Sequence, residues 1–233
     1  EQAIAEAMAE ANRLNAMLDP WLDAGCDEVL IYVHGVANSF NDAAIRTAEM
    51  WHFTGRRFIP MTYSWPSGEK AGLFAYTHDR ESSEFTVLHL KLLLRTLSFN
   101  DRIRGVHIVA HSRGTDVTTS AVREIYAQFG RGGGERVSER FKLRTVVLAA
   151  PDIDSEVFVQ RFFTENVAMA PDRFVLYFSP HDKAIGLSNW LFRGNTRMGR
   201  LHPEDFGPLA RELLPEAPSI ELIQCDLTGV DSH

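Results

Sequence analysis

Ser112 lies in the stretch IVAHSRGTDV, residues 108–117, where an apolar run gives way to a tight turn and then to a helical pattern. A lone serine hydroxyl is a weak nucleophile. It attacks a carbonyl only when a histidine takes its proton, a carboxylate orients that histidine, and N–H groups receive the developing oxyanion. Candidates for each part follow Ser112 in the chain. The carboxylates are Asp152 and Asp154 in LAAPDID and Asp182 in FSPHD; the histidines are His202 in RLHPEDF and His233. The order serine, acid, histidine, with the acid after a later strand and the base after the last one, favours Asp182 and His233. Asp152 or Asp154 as acid, and His202 as base, stay open.

The turn departs from the G-x-S-x-G pattern of a nucleophile elbow by carrying Ala110 at the first position, while Gly114 keeps the last. One added methyl weakens the pattern without breaking it. The alternative is a serine that merely caps the following helix, a position serine often takes, and the tripeptide alone does not separate the two. Oxyanion donors are expected from the N–H groups of Val36, just past His34-Gly35, and of Arg113. His34 itself reads either as a substrate contact or as a satisfied core histidine. His111, next to the serine, is expected to pack or to contact the leaving group.

These residues need strands to hold them. Six short apolar runs, EVLIYVHG, RRFIPMTYSW, GVHIVAHS, RTVVLAAPD, RFVLYFSPHD and IELIQCDLTG, are bounded by turn signals, as expected of parallel strands covered on both faces. Between them, DAAIRTAEMWHFTG, ESSEFTVLHLKLLLRTL, TDVTTSAVREIYAQFG and DSEVFVQRFFTE read as helices, giving βαβ crossovers and a doubly wound sheet. Ligand sites in such sheets lie at the carboxyl ends of the strands. Four of those ends carry His34-Gly35, Ser64-Trp65-Pro66, His111-Ser112 and His181-Asp182. Ahead of the first strand, Ile4, Met8, Ala11, Leu14, Leu18, Trp21 and Leu22 recur at helical spacing and predict an accessory helix. The glycine-rich segment 130–134 lacks the lysine and Ser/Thr of a phosphate loop and reads as a connector.

With 233 residues, 45% hydrophobic and 24% charged, the chain can bury the core of one large α/β domain without a metal or disulfide framework. Cys26 and Cys225 lack metal-ligand spacing and read as buried thiols. A net charge of −7 argues against a general nucleic-acid binder, and RGGGERVSER reads as a solvated loop. No apolar run reaches the roughly 18 residues of a membrane span, and no signal-peptide pattern opens the chain. The expectation is a soluble, cytoplasmic protein. A start at Glu1 rather than Met also fits a processed product or an excised piece.

The ordered set VHGVANSFNDA, YSWPSG, YTHDRES, AHSRG, LAAPDID and HDKAIGLS resembles the bacterial α/β-hydrolases of unknown function called DUF900. The resemblance implies an α/β-hydrolase fold, a mostly parallel sheet flanked by helices, over residues 28–233, behind the accessory helix at 1–27. With the order of Ser112, Asp182 and His233, the expectation is an esterase or lipase-like serine hydrolase acting on a small-molecule or lipid ester, or a thioester, through that triad, with no cofactor and no metal. The resemblance also places Ser64-Trp65-Pro66 and residues 76–82 at the border of the site. Trp65 and Tyr76 would then wall an acyl pocket, plain core packing being the equal alternative for Trp65; Asp79, Arg80 and Glu81 would brace a loop. Family members carry His-Ser-Tyr-Phe shortly after the last strand, whereas here Val-Asp-Ser-His stops, so a loosely held His233 and weak activity are expected. An acyltransferase on the same triad, or a degenerate site on a binding or scaffold protein, are the rival readings.

Overall fold

The structure is a computed structural model. It describes residues 2–67, 73–130, 134–182, 197–201, 217 and 219–226, leaving aside the side chains of 2–5, 7 and 73–84. All six expected strands are present: β1 Glu28–Val33, β2 Ile59–Tyr63, β3 Gly105–His111, β4 Leu143–Ala149, β5 Arg173–Phe178 and β6 Ile220–Gln224. They form one sheet in the order β2-β1-β3-β4-β5-β6, and every neighbouring pair is parallel. The near-unbroken burial of β1 follows from cover on both faces, while the alternation in β3 marks one face that is only partly covered. The edge strands β2 and β6 are less covered.

Helices α1 Gln2–Asp23, α2 Phe40–Phe53, α3 Leu73–Ser98, α4 Gly114–Phe129, α5 Val137–Arg140 and α6 Ser155–Val159 alternate with the strands. Leu18 and Leu22 of α1 join the same apolar cluster as the strands, while Met8 is 62% exposed. Arg102 pairs with Asp19 and Asp23 of the same helix. A capping box fixes the start of α2, Ser39 and Asp42 each satisfying an N–H of the other.

Two elements differ from the sequence expectation. α3 begins at Leu73, not near Glu81, so residues 76–82 stand on a helix rather than in a loop. Nothing between Leu73 and Glu81 is a Gly or Pro to stop a helix from running back. The segment after β4 starts as α6 but widens into a π-turn at Gln160–Thr164. Cys26 and Cys225 are free and half-buried rather than buried. The centre of the glycine-rich segment, residues 131–133, lies outside the described residues.

The strand order reverses between β1 and β3: from β1 the chain moves outward to β2, then returns to the other side of β1. The carboxyl ends of β1 and β3 therefore flank the switch point, the place where ligands of doubly wound sheets bind. Among the described residues no helix is long and apolar enough to cross a membrane.

Candidate active site

Ser112 occupies the position immediately after β3, at the carboxyl end of the sheet beside the switch point, with φ at +51°. A left-handed serine is costly and persists only where its surroundings over-determine it. Here its N–H donates to Ala149 O on β4 at 3.0 Å. Its carbonyl accepts from Thr115 N at 3.1 Å, Thr115 Oγ1 at 2.5 Å and Asp152 N at 3.4 Å. The N–H groups of Thr115 and Asp116 go to the main-chain carbonyls of Ser112 and Arg113, and Arg113 is the N-cap of α4. The hydroxyl of Ser112 is thus not spent on capping.

No peptide among the described residues is cis, so the Ser112–Arg113 unit is trans and its carbonyl and N–H point in opposite directions. Three donors hold the carbonyl beneath the turn. The Arg113 N–H is consequently turned the other way.

Close approach explains the glycines. A Cβ on Gly114 would sit 2.5 Å from His34 O and 2.6 Å from Val33 O, both backbone atoms that cannot step aside. A Cβ on Gly35 would meet Ser112 Cβ at 2.9 Å and, at 3.4 Å, Nδ1 of the half-buried His111. Ala110 is fully buried on β3 and fits. The loop after β1 therefore lies directly against the elbow, and Val36 follows it at half burial.

That loop is braced from β2. His34 is 0% exposed and Trp65 3%. Trp65 N–H donates to His34 Nε2 at 3.1 Å, which leaves the ring proton on Nδ1 to bond Gly35 O at 2.7 Å. Trp65 Nε1 donates to His34 O at 2.7 Å, and the two rings stack with centroids 5.5 Å apart. Burial holds the His34 ring below the ordinary histidine range, the bond to Gly35 opposing it in part, so the ring stays neutral. Asn38 Nδ2 closes the loop on Val36 O at 2.8 Å.

The three carboxylates have different surroundings. Asp154 caps α6, accepting from Glu156 N at 2.9 Å and Val157 N at 3.3 Å. Asp152 lies against Arg197, Oδ1 to Nε 3.7 Å, with both side chains at least 85% buried. Asp182 is 1% exposed, four residues past the end of β5. The loop after β5 is fastened by Ser179 N to Gly199 O at 2.9 Å, Arg200 Nε to Pro180 O at 3.2 Å and Asp182 N to Ser179 O at 3.1 Å. His202, His233, the segment KAIGLSNWLF and the side chains of Tyr76, Asp79, Arg80 and Glu81 lie outside the described residues.

Sequence reasoning missed one cluster beside the elbow. Arg113 Nη2 meets Asp116 Oδ2 at 3.2 Å, and Arg161 Nη1, from the π-turn, takes the other oxygen at 2.6 Å and Thr119 Oγ1 at 3.2 Å. The spacing of Arg113 and Asp116 was visible in RGTD; Arg161 is 45 residues from Asp116 and gave no local signal. Among the described residues no group of three or more His, Cys, Asp or Glu gathers to hold a metal ion.

Among solved structures, the chain is similar to an esterase of Pyrococcus furiosus, at 14% identity and a TM-score of 0.48, covering 87% of this chain and 73% of that one. It is also similar to esterase 2 of Thermogutta terrifontis phosphoramylated by tabun, at 12% identity and a TM-score of 0.46, covering 85% and 71%. An acetyl ester-xyloside bifunctional hydrolase of Caldicellulosiruptor lactoaceticus is similar at 13% identity and 0.44, covering 86% and 74%. No curated protein sequence matches. A family description matches over residues 10–230, from within α1 past β6, and by that match the chain belongs to the α/β-hydrolases of unknown function, DUF900.

Proposed function

We propose that the chain is a serine hydrolase cleaving carboxylic esters through an acyl-enzyme. The observation that carries this is the left-handed Ser112 at the switch point, its peptide carbonyl tied down and its hydroxyl free of capping duty. Ser112 Oγ attacks the ester carbonyl carbon while His233 takes its proton, and Asp182 holds the imidazole in the right tautomer. The N–H groups of Val36 and Arg113 receive the oxyanion. Collapse breaks the C–O bond, the histidine returns the proton to the leaving alcohol, and water repeats the sequence on the acyl-enzyme.

Asp182 is preferred as acid because it is a buried carboxylate after β5, in the chain order serine, acid, histidine, while Asp154 caps α6. His34 and Trp65 are assigned to holding the Val36 loop, and through it the substrate. His111 and Tyr76 are assigned to the border of the pocket.

The test is labelling by a fluorophosphonate together with turnover of p-nitrophenyl esters graded in chain length. Wild type should label and turn over. Ser112→Ala should lose both, with hydrolysis down at least about a thousandfold and the melting temperature not lowered, since the strained residue loses only an oxygen. A folded Ser112→Ala protein with wild-type turnover would end the proposal.

A further inference from the structure

We infer that Asp116 and Arg161 are positioning residues of the oxyanion hole, holding the Arg113 end of the strained Ser112–Arg113 peptide; this rests on the esterase reading above. The peptide can relax by a crankshaft rotation, changing ψ of Ser112 and φ of Arg113 in opposite senses. Such a rotation would swing the Arg113 N–H away without moving the rest of the chain. At the serine end, the three donors to the carbonyl oppose it. At the arginine end, the side chain is the handle. Arg113 is 10% exposed, and its guanidinium is gripped by Asp116.

Arg161 decides what Asp116 does. Asp116 is the third residue of α4, where a carboxylate is drawn back onto the bare N–H groups of the helix start. The 2.6 Å bond from Arg161 Nη1 turns the carboxylate across to Arg113 instead. A hydroxyl ladder reinforces the same turn: Arg161 donates to Thr119 Oγ1, Thr119 Oγ1 to Thr115 O at 2.8 Å, and Thr115 Oγ1 to Ser112 O. Arg161 makes this reach from within the π-turn at Gln160–Thr164. Glu165, just beyond, pairs with Arg123 of α4 and holds the two elements together.

The experiment compares Asp116→Asn and Arg161→Gln with wild type on a p-nitrophenyl ester, and measures inhibition by a trifluoromethyl ketone, whose serine adduct places an oxyanion in the hole. Both variants should lower kcat about ten- to a hundredfold, as a donor displaced by a fraction of an ångström would. KM should stay within about twofold, and ketone affinity should fall by a factor similar to kcat. A merely structural role would lower the melting temperature without that parallel loss. Should Asp116→Asn fail to fold, Arg161→Lys, which keeps the charge but not the paired contacts, carries the test with a smaller loss. Folded variants with kcat within about twofold of wild type, or with kcat lost but ketone affinity unchanged, overturn the inference. A wild type that neither labels nor turns over sinks the esterase reading itself; a reactive wild type with unaltered variants sinks only the brace.

Discussion

At the amino ends of the strands, Arg104 meets Asp27 at 3.2 Å, Arg144 meets Asp172 at 3.0 Å and Arg173 meets Glu221 at 3.7 Å, all on side chains at least 33% exposed. Beside the elbow at the carboxyl ends, Arg113, Asp116 and Arg161 are 21% exposed or less. The left-handed residues divide the same way. Arg56, Lys142 and Asn166 each follow a helix, where a positive φ is an ordinary way to stop. Ala37, Ser112 and Ala150 each follow a strand, where no helix end calls for it. One end of the sheet is a solvated surface whose charges are individually weak. The other stores strain and locks it with buried bonds, the construction expected where backbone groups must meet a reacting atom.

The sharpest test of this contrast concerns the acid. Asp182→Asn should cut ester turnover by at least about a thousandfold by leaving the base in the wrong tautomer. Asp154→Asn should leave most activity and loosen α6, and Asp152→Asn should fall between them. Measured kcat/KM for the three variants checks the ranking, and the reverse order would move the acid to the loop after β4.

Next in size is Gly114→Ala, whose methyl is directed at two backbone carbonyl oxygens. Overpacking of this kind costs about 1–3 kcal/mol, and the elbow must shift to relieve it. Denaturant unfolding and turnover should therefore both suffer. Wild-type activity in this variant would mean that the elbow tolerates displacement.

Acid should reveal the buried His34 and the half-buried His107 at opposite ends. Burial holds His34 below the ordinary range, and also His107, where Glu28 opposes the shift while Arg144 and Arg173 assist it. The unfolded chain then binds these protons more readily, so their stabilising contribution is full above about pH 6.5 and is lost as pH falls toward the folded values. The melting temperature should drop over that window, and His107→Gln should remove only its share of the slope. A flat profile would show that neither ring is kept neutral. Smallest is Arg104→Ala at the exposed end, expected to change stability by less than about 1 kcal/mol and turnover not at all.

The strands were legible because parallel strands buried on both faces print as short apolar runs, and each of the six runs became a strand. Gly114 and the serine turn were legible because their constraint is local. The origin of α3 was less so, because the motif YTHDRES was read as border loop although it has no helix breaker. The π-turn left no mark in VFVQRFF, whose apolar spacing suits an ordinary helix equally. The pairing of His34 with Trp65, and of Asp116 with Arg161, joins elements far apart in sequence, and no local pattern announces such a meeting.

The elbow also has a consequence for the order of events in folding. Its left-handed serine is held by Ala149 from β4, approached by Gly35 from the loop after β1, and tied through Asp152, so contacts 37 to 77 residues apart in sequence must exist before the conformation is worth adopting. Helices and β1–β2 pairing can form ahead of it. Reactivity toward a serine-directed probe should then return after helical circular dichroism on refolding, making Ser112 a reporter of the last long-range contacts rather than of the first.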